Sequence, residues 1–338
     1  MADTPQTLAL ITLAQNYRGN TIRQVNRKTV LLRLLPIVKG EGKNVAFVPE
    51  YNGANAENYP EGADASNYAS DAQANAILSW GQYRATPHVT GLAMAGAKTS
   101  GTPLGNLNLW ARNIANGTAA LGSLVNADSY TGAGTGTLIA GLDVAIGSTS
   151  NTYAGIDRSS GANALWRPTI VDPGSNTLPT FASIRDTMAT IYTACGMNPD
   201  LGMCSPAVWN TIGSLFDATR RTVDNIRTAR GDIKLDAGLG ALEIDGCMFM
   251  KDKDAPANAI YFLNSNHIRY EYLPPENAPG EPMSEVEPDD GFGAVPLGVR
   301  WEMLAKIGDS SKAEGKAYIQ LVCDRPNACG KMLHVGTT

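Results

Sequence analysis

Residues 52 to 75, NGANAENYPEGADASNYASDAQAN, form a 24-residue stretch with almost nothing to bury. Strand-like stretches flank it, Asn44 to Tyr51 on one side and Ala76 to Thr90, with Trp80, Tyr83 and Val89, on the other. Connections in compact domains are usually much shorter. One this long without a core of its own is either mobile or made to lie on another surface. Residues 44 to 91 therefore read as one long hairpin arm.

The remaining chain is long enough to bury a large core. At 338 residues it suggests about two domains, and 43% hydrophobic residues with 35 glycines is a globular balance. Charged residues are only 17%, as expected of a surface later covered by partners, although a monomer can show the same. The apolar run Leu8 to Ala14 is too short for a membrane span and has no basic residue before it, so neither export nor a membrane is expected. Five cysteines, none spaced as CxxC, point to reduced and mostly buried thiols. Residues 1 to 43 carry a net charge of +5, leaving −10 on the rest of a chain whose total is −5. A basic arm on an acidic body can touch polyanions or acidic neighbours, or simply pack on another subunit.

Helical spacing of Ile22, Val25, Thr29, Leu32 and Leu35 predicts a helix that Pro36 stops. Thr102 and Pro103 open the longest helix, with Leu107, Trp110, Ile114, Leu121 and Val125 on one stripe to about Asn126, a rod of about 36 Å. Gly117 is a place for it to bend or break. Thr180 caps a helix through Cys195, its inner face Phe181, Ile184, Met188, Ile191 and Tyr192, with Gly196 as the stop. Ser205 and Pro206 open another, carrying Val208, Ile212, Leu215 and Phe216. ALEIDGCMFM and AIYFLNSNHIRYEYL supply strands around the polar turn KDKDAPAN. An acidic stretch from Glu271 to Val299 follows, holding Glu271, Glu276, Glu281, Glu285, Glu287, Asp289 and Asp290. Val299 to Ile307, Tyr318 to Cys323 and Lys331 to Val335 read as closing strands.

Catalytic signatures are missing. GAGTGT at 132 to 137 is not GxGxxG and precedes no GK[ST], and no GxSxG elbow occurs. His88, His267 and His334 are scattered, without a ligand spacing. Asp252 with Asp254, and Asp289 with Asp290, lack the spacing of an EF-hand and read as solvated turns. No catalytic, cofactor-binding or metal-binding residue is assigned, and no cofactor is expected. No zinc finger or RNP-like motif appears either, so any nucleic-acid contact would be electrostatic and salt-dependent.

In order and spacing the chain resembles the major capsid proteins of tailed bacteriophages. NRKTVLLRLLPIVKGEGKNVAFVPEYNGANAENYPEG is similar to that family's N-terminal arm running into its extended loop, and WGQYRATPHVTG to the returning strand. The helix from Pro103 is similar to the spine helix, LIAGLDVAI before YAGIDR to the link into the axial domain, and AIYFLNSNHIRYEYL and AYIQLVCDRPNACGKM to later strands. The resemblance implies an α+β, Hong Kong 97-type capsid fold. Its parts would be an N-terminal arm (1–43), an extended β-hairpin loop (44–91), a peripheral domain with a long spine helix (92–150 and 293–338) and an axial domain (151–292).

It also implies a non-enzymatic virion protein, assembled in the host cytoplasm into hexamers and pentamers of an icosahedral shell around double-stranded DNA. Portal and possible scaffolding or decoration proteins would be its partners, and packaged DNA would be touched weakly and without sequence preference. In the resembled family the GIDR segment belongs to the wall. Asp157 and Arg158 are then expected as an ion pair fixing a turn or a subunit contact, with Trp166 as an apolar anchor. Because neighbours in a strand face opposite ways, their partners can instead lie elsewhere. Tyr51, Tyr59, Trp80, Tyr83 and Arg167 are further subunit-contact candidates, and Arg23, Arg27 and Lys28 are electrostatic candidates of the arm. Residues 51 to 83 contain no lysine, so the covalent cross-linking of some family members is not expected. The short arm implies either a separate scaffolding protein or a leader that has been removed, and Met1 favours the former. An encapsulin-like compartment shell, and an enzyme whose site is assembled from distant residues, remain as other readings.

Overall fold

The computed structural model describes residues 29–52, 58–62, 64, 72–93, 95, 109–215, 225–228, 231–234, 241–273, 298–304 and 308–337. In chain order they form helix α1 (Val30–Leu34) and strands β1 (Ile37–Lys39), β2 (Asn44–Phe47), β3 (Glu50–Asn52), β4 (Ala72–Gln73), β5 (Ala76–Ser79), β6 (Gly81–Ala85) and β7 (His88–Thr90). Helices α2 (Leu109–Thr131) and α3 (Leu142–Ala145) precede β8 (Thr152–Tyr153), β9 (Ile156–Asp157) and β10 (Thr169–Val171). Then come α4 (Phe181–Cys195), β11 (Leu201–Cys204), α5 (Pro206–Ser214), β12 (Asn225–Thr228), β13 (Gly231–Lys234), β14 (Ala241–Ile244) and β15 (Cys247–Lys251). The chain closes with β16 (Ile260–Leu263), β17 (Ile268–Leu273), β18 (Arg300–Met303), β19 (Ser310–Cys323) and β20 (Gly330–Met332). Contacts divide it into two units, one of residues 1–29, 82–125 and 273–318, the other of 30–81, 126–272 and 319–338.

The second unit is organised by a six-stranded mixed sheet in the order β10-β20-β16-β11-β15-β14. Its central strands, LGMC and IYFL, are buried at every position, the pattern of strands covered on both faces. Ile184, Met188 and Ile191 of α4 and Val208 and Ile212 of α5 pack with Cys204, Phe249, Phe262 and Met332 in one core. Thr180 starts α4 with a capping box, its Oγ1 accepting from Ser183 N at 3.1 Å while Ser183 Oγ accepts from Thr180 N at 2.9 Å. Gly196, with φ of 74°, ends the helix in the left-handed conformation. Thr187 lies on the buried face and Tyr192, expected there, is 53% exposed, one position past the last inward turn. Asp245 and Gly246, with φ of 49° and 85°, make the β14–β15 hairpin turn. Phe216 lies outside the described residues.

Asp252 overturns the solvated-turn expectation. It is 1% exposed. Its Oδ2 accepts from Tyr130 Oη and Asn126 Nδ2, both at 3.0 Å, and from Leu31 N at 3.4 Å, and its Oδ1 accepts from Asp254 N at 3.1 Å. Asn126 in turn accepts from Leu32 N through Oδ1 and donates to Asp254 Oδ2 at 2.8 Å. Two of the N–H groups that α1 leaves without helical partners are thus satisfied by side chains from α2 and the 252–254 turn. Burial, and then the Asp252 charge, push the Tyr130 hydroxyl well above its ordinary range, so it stays a donor. Because Ser129 and Tyr130 are buried, α2 runs to Thr131 rather than stopping near Asn126. Residues 102–108 lie outside the described residues.

Nor does α2 break at Gly117. A Cβ built there would stand 2.7 Å from Trp301 Cη2, so the glycine serves close approach. Trp301 also lies opposite Gly315 on β19, where a Cβ would meet the ring at 2.7 Å. β18 and β7 both pair antiparallel with β19, and β19 begins at Ser310, eight residues before the apolar run that marked it. Its polar first half alternates half-buried with buried, whereas its end is buried throughout.

Of residues 44 to 91, read as one hairpin, only those within 44–79 form antiparallel ribbons, whereas β6 and β7, expected as the returning strand, pair with β19. β2 pairs antiparallel with β5, from Asn44↔Ser79 to Phe47↔Ala76, and β3 with β4, from Glu50↔Gln73 to Asn52↔Ala72. No helix among the described residues is long and apolar enough to cross a membrane.

Two stability changes follow, both read by urea unfolding. Asp252→Ala takes the acceptor from four donors, of which Asn126 Nδ2 keeps Asp254, and is expected to cost about 3–5 kcal/mol, Tyr130→Phe about 1–2 kcal/mol. Gly117→Ala gains about 1 kcal/mol of helix propensity, but overpacking against a ring that also meets Gly315 costs about 1–3 kcal/mol, so the variant should be less stable than wild type.

Candidate functional site

The segment 153–167 is folded around a tight hairpin. Thr152↔Asp157 and Tyr153↔Ile156 pair across a turn in which Ala154 and Gly155 have φ of 53° and 81°. Alternation then sends neighbouring side chains to opposite sides: Asp157 is exposed and Arg158 is completely buried. The expected Asp157–Arg158 ion pair is therefore absent.

Arg158 instead reaches the end of α3. Its Nη2 donates to Ala145 O at 2.6 Å, and its Nη1 to Val144 O at 3.2 Å, Ser148 O at 3.3 Å and Asn151 Oδ1 at 3.1 Å. These carbonyls lie where a helix runs out of its own donors. The guanidinium carbon sits 4.9 Å from the centre of the Tyr153 ring. Burial pulls the guanidinium down to about 10, which leaves it charged at neutral pH. Carbonyl dipoles and a ring face hold this charge in place of a carboxylate. Asp157 accepts from Ser159 N at 2.8 Å and Ser159 Oγ at 2.7 Å, and these bonds lower its pKa.

Arg167 closes the loop from outside, donating to the carbonyls of Arg158 at 2.6 Å and of Ser159 and Ser160 at 3.0 Å. Trp166, 3% exposed, stacks on Tyr153 with ring centres 6.0 Å apart and lies 6.2 Å from Phe47 of β2. Ile77 of β5 donates its N–H to Ala154 O at 2.9 Å, and the Tyr153 hydroxyl accepts from Cys323 N at 2.9 Å. The joint thus ties the root of the extended hairpin to the turn at 154–155 and to the end of β19. Tyr153 and Asn151 were not singled out in the sequence, because neither carries a motif.

Three candidates for subunit contact are taken up within the chain. Trp80 is 6% exposed, donates Nε1 to Gly42 O at 3.1 Å and presses on Gly40, where a Cβ would lie 2.5 Å from its ring. Tyr83 is 6% exposed and Trp166 is buried as described. Each fills the interior of its own chain, which leaves little of the three expected subunit-contact residues for a neighbour to touch. Tyr59 is 72% exposed, Arg167 is half-buried and Tyr51 lies in β3. Arg23, Arg27 and Lys28 lie outside the described residues, as do Asp289 and Asp290.

In the joint the one hydroxyl beside a carboxylate, Ser159 on Asp157, is exposed and has no histidine or cysteine in its segment, and the described residues contain no group of three metal-binding side chains. The histidines serve as structural contacts, His267 Nδ1 with Asp324 at 2.9 Å and His334 Nδ1 with Asp172 at 2.6 Å. What 153–167 can do is mechanical: fix the hairpin's root. Arg158→Ala takes the donor from Ala145 O, Ser148 O and Asn151 Oδ1, while Val144 O keeps Asn151 Nδ2 at 2.9 Å, and is expected to lower stability by about 3–5 kcal/mol. Asp157→Ala, which loses only its exposed bonds to Ser159, should lower the urea midpoint far less, and the double variant should show the sum of the two single losses; a strong departure from additivity would restore the ion pair.

The SU10 major capsid protein family model matches residues 112–333. Comparison with curated protein sequences finds no match. Among solved structures, the chain is similar to a subunit of the cyanophage A-1(L) capsid asymmetric unit, with a TM-score of 0.71 at 20% identity, covering 95% of this chain and 98% of that one. A capsid subunit of a native GTA particle superposes with a TM-score of 0.59 at 14% identity, covering 96% and 99%. A subunit of the encapsulin complex from Synechococcus elongatus does so with 0.52 at 13%, covering 97% and 95%. Likenesses this remote in sequence establish the α+β, Hong Kong 97-type fold over nearly the full length of each chain. The family match, spanning α2, the mixed sheet and the 153–167 joint, gives that fold its role: the chain belongs to the SU10 major capsid protein family of tailed phages, a structural component of the virion and not an enzyme.

Proposed function

We propose that copies of this chain form hexamers and pentamers of a closed icosahedral shell around double-stranded DNA, joined by noncovalent contacts. The supporting observation is the hairpin of β2 to β5. A two-stranded ribbon is at best marginal in water by itself. This one buries Val45, Ala76 and Leu78 beneath it while leaving Val48 62%, Ile77 47% and Tyr59 72% exposed. A neighbouring copy is the natural cover for such a surface, and it is where Tyr59 makes its contact. Arg167, on the outer side of the joint, faces the next subunit.

In this reading residues 1–43 are the arm, 44–91 the extended loop, 92–150 with 293–338 the peripheral domain, and 151–292 the axial domain. This is a functional division and differs from the contact-based units. Arg23, Arg27 and Lys28 act electrostatically, on acidic neighbours or on DNA held weakly within. Portal, scaffolding or decoration proteins complete the particle, which assembles in the host cytoplasm. The encapsulin likeness reflects the shared fold, and the family match favours the phage shell.

Electron microscopy of the purified protein tests the proposal. Shells, hexamers or pentamers are expected, and a monomer at every concentration would overturn it. Deleting residues 53–71 should leave a protease-resistant body that no longer makes stable shells. Normal assembly of that variant would remove the hairpin from the contact.

A further inference from the structure

The two-residue turn between β14 and β15 carries a chemistry that the shell reading does not use. Asp245 and Gly246 are exposed, although Ile244 before them and Cys247 after them are buried in the core that α4 shares with this sheet. An aspartate followed by glycine is open to attack of the next backbone nitrogen on its own side chain, because glycine puts no Cβ in the way. At Gly246, with φ of 85°, the place of a Cβ has nothing within 4 Å. The reacting atoms belong to adjacent residues, so only bond rotation separates them.

One side chain from outside the turn opposes this. Arg185, on the second turn of α4, donates Nε to Asp245 Oδ2 at 2.7 Å and Nη2 to Asp245 Oδ1 at 3.2 Å, so its fork holds both oxygens. Phe181, one helical turn earlier, has its ring centre 6.0 Å from the guanidinium carbon. With side-chain exposures of 57% and 50%, the pair adds little to stability. Its two bonds, made across 60 positions of sequence, instead fix where one carboxyl points.

We propose that Asp245 is a site of spontaneous isomerisation to isoaspartate and that Arg185 guards it. Gly246 N attacks Asp245 Cγ and forms the new C–N bond of a five-membered succinimide. The nitrogen gives up its proton, and one carboxyl oxygen leaves as water. Water then adds to either ring carbonyl and breaks its bond to the nitrogen, which takes a proton back. Breaking the new bond returns aspartate; breaking the original peptide bond leaves the chain running through Cγ, one backbone carbon longer. The water lost in the first step is regained in the second, so solvent is the only co-reactant.

To enter the first step the carboxyl must leave the fork, turn Cγ toward Gly246 N and take a proton on the departing oxygen. While both oxygens are bound it does none of these. An added backbone carbon does not fit a turn whose residues have φ of 49° and 85° and whose flanks pair Ile244 with Cys247. None of this chemistry rests on the shell reading.

Peptide mapping of aged protein tests it. Full-length wild type, Arg185→Gln and Arg185→Lys are incubated at physiological temperature and pH, beside wild type denatured in guanidinium chloride. Trypsin releases Leu235–Lys251, and electron-transfer fragmentation tells isoaspartate from aspartate at position 245. Isoaspartate should accumulate fastest in the denatured chain, slowest in folded wild type, and about two- to five-fold faster in Arg185→Gln than in wild type, the ratio an exposed ion pair sustains. Arg185→Lys, a single point of charge in place of a fork, should fall between. Raising the salt should speed folded wild type toward Arg185→Gln and leave that variant unchanged. Equal rates in wild type and Arg185→Gln, or no isoaspartate in Arg185→Gln where the denatured chain forms it, would overturn the proposal. If Arg185→Gln does not fold, the salt response of wild type decides, and a rate unmoved by salt overturns it. A chain that isomerises as expected but builds no shells counts against the shell reading and leaves this one standing.

Discussion

A carboxylate that has lost its water must be repaid in hydrogen bonds, and the residues that repay Asp252 come from three separate stretches of chain. Tyr130 and Asn126 belong to the end of the longest helix, Leu31 to the first turn of the helix before the hairpin, and Asp254 to its own turn. None of these groups is satisfied unless all are in place, because a half-made buried network is worse than an apolar one. Apolar packing would tolerate some sliding of α1 against α2. The directed bonds to Asp252 do not, and α1 is the element from which β1 and the hairpin follow.

The hairpin's other tether is the buried Arg158. An arginine suits that position because its planar fork reaches several carbonyls at once, where a lysine would present a single point. With Tyr153 beneath the guanidinium and Trp166 stacked beyond, the joint turns a four-residue helix end into a fixed floor for β2 and β5. Lys331 solves a related problem on the sheet, its Nζ lying 2.6 Å from Asp143 and 4.9 Å from the Tyr261 ring centre, while Tyr261 Oη also donates to Asp143.

Local signals were legible where local physics decides. Thr180, Ser183 and Gly196 mark α4 because caps act within a turn of the helix, and Ser205 with Pro206 marks α5 for the same reason. The hairpin was visible as polar length between two strand-like runs. Asp252 was not, since KDKDAPAN has the composition of any exposed turn, and its burial depends on Tyr130, 122 positions away. Asp157 and Arg158 look like a pair in one dimension, yet strand alternation separates them. Gly117 reads as a helix weakness until Trp301 is seen against it. The Asp245–Gly246 turn carries a hairpin signature too, but it was not singled out, because ALEIDGCMFM reads only as strand-forming sequence before KDKDAPAN.

The order of strands in the mixed sheet has a consequence in time. β20, at residues 330–332, lies between β10, at 169–171, and β16, at 260–263, and pairs with both. During synthesis β10 therefore waits for a strand about 160 residues further along before it gains its neighbour in the sheet. Pairings so distant in sequence form late, after the loop entropy has been overcome. The six-stranded sheet is thus incomplete until β20 exists, and until then the backbone groups of β10 that β20 will pair face no strand of the sheet.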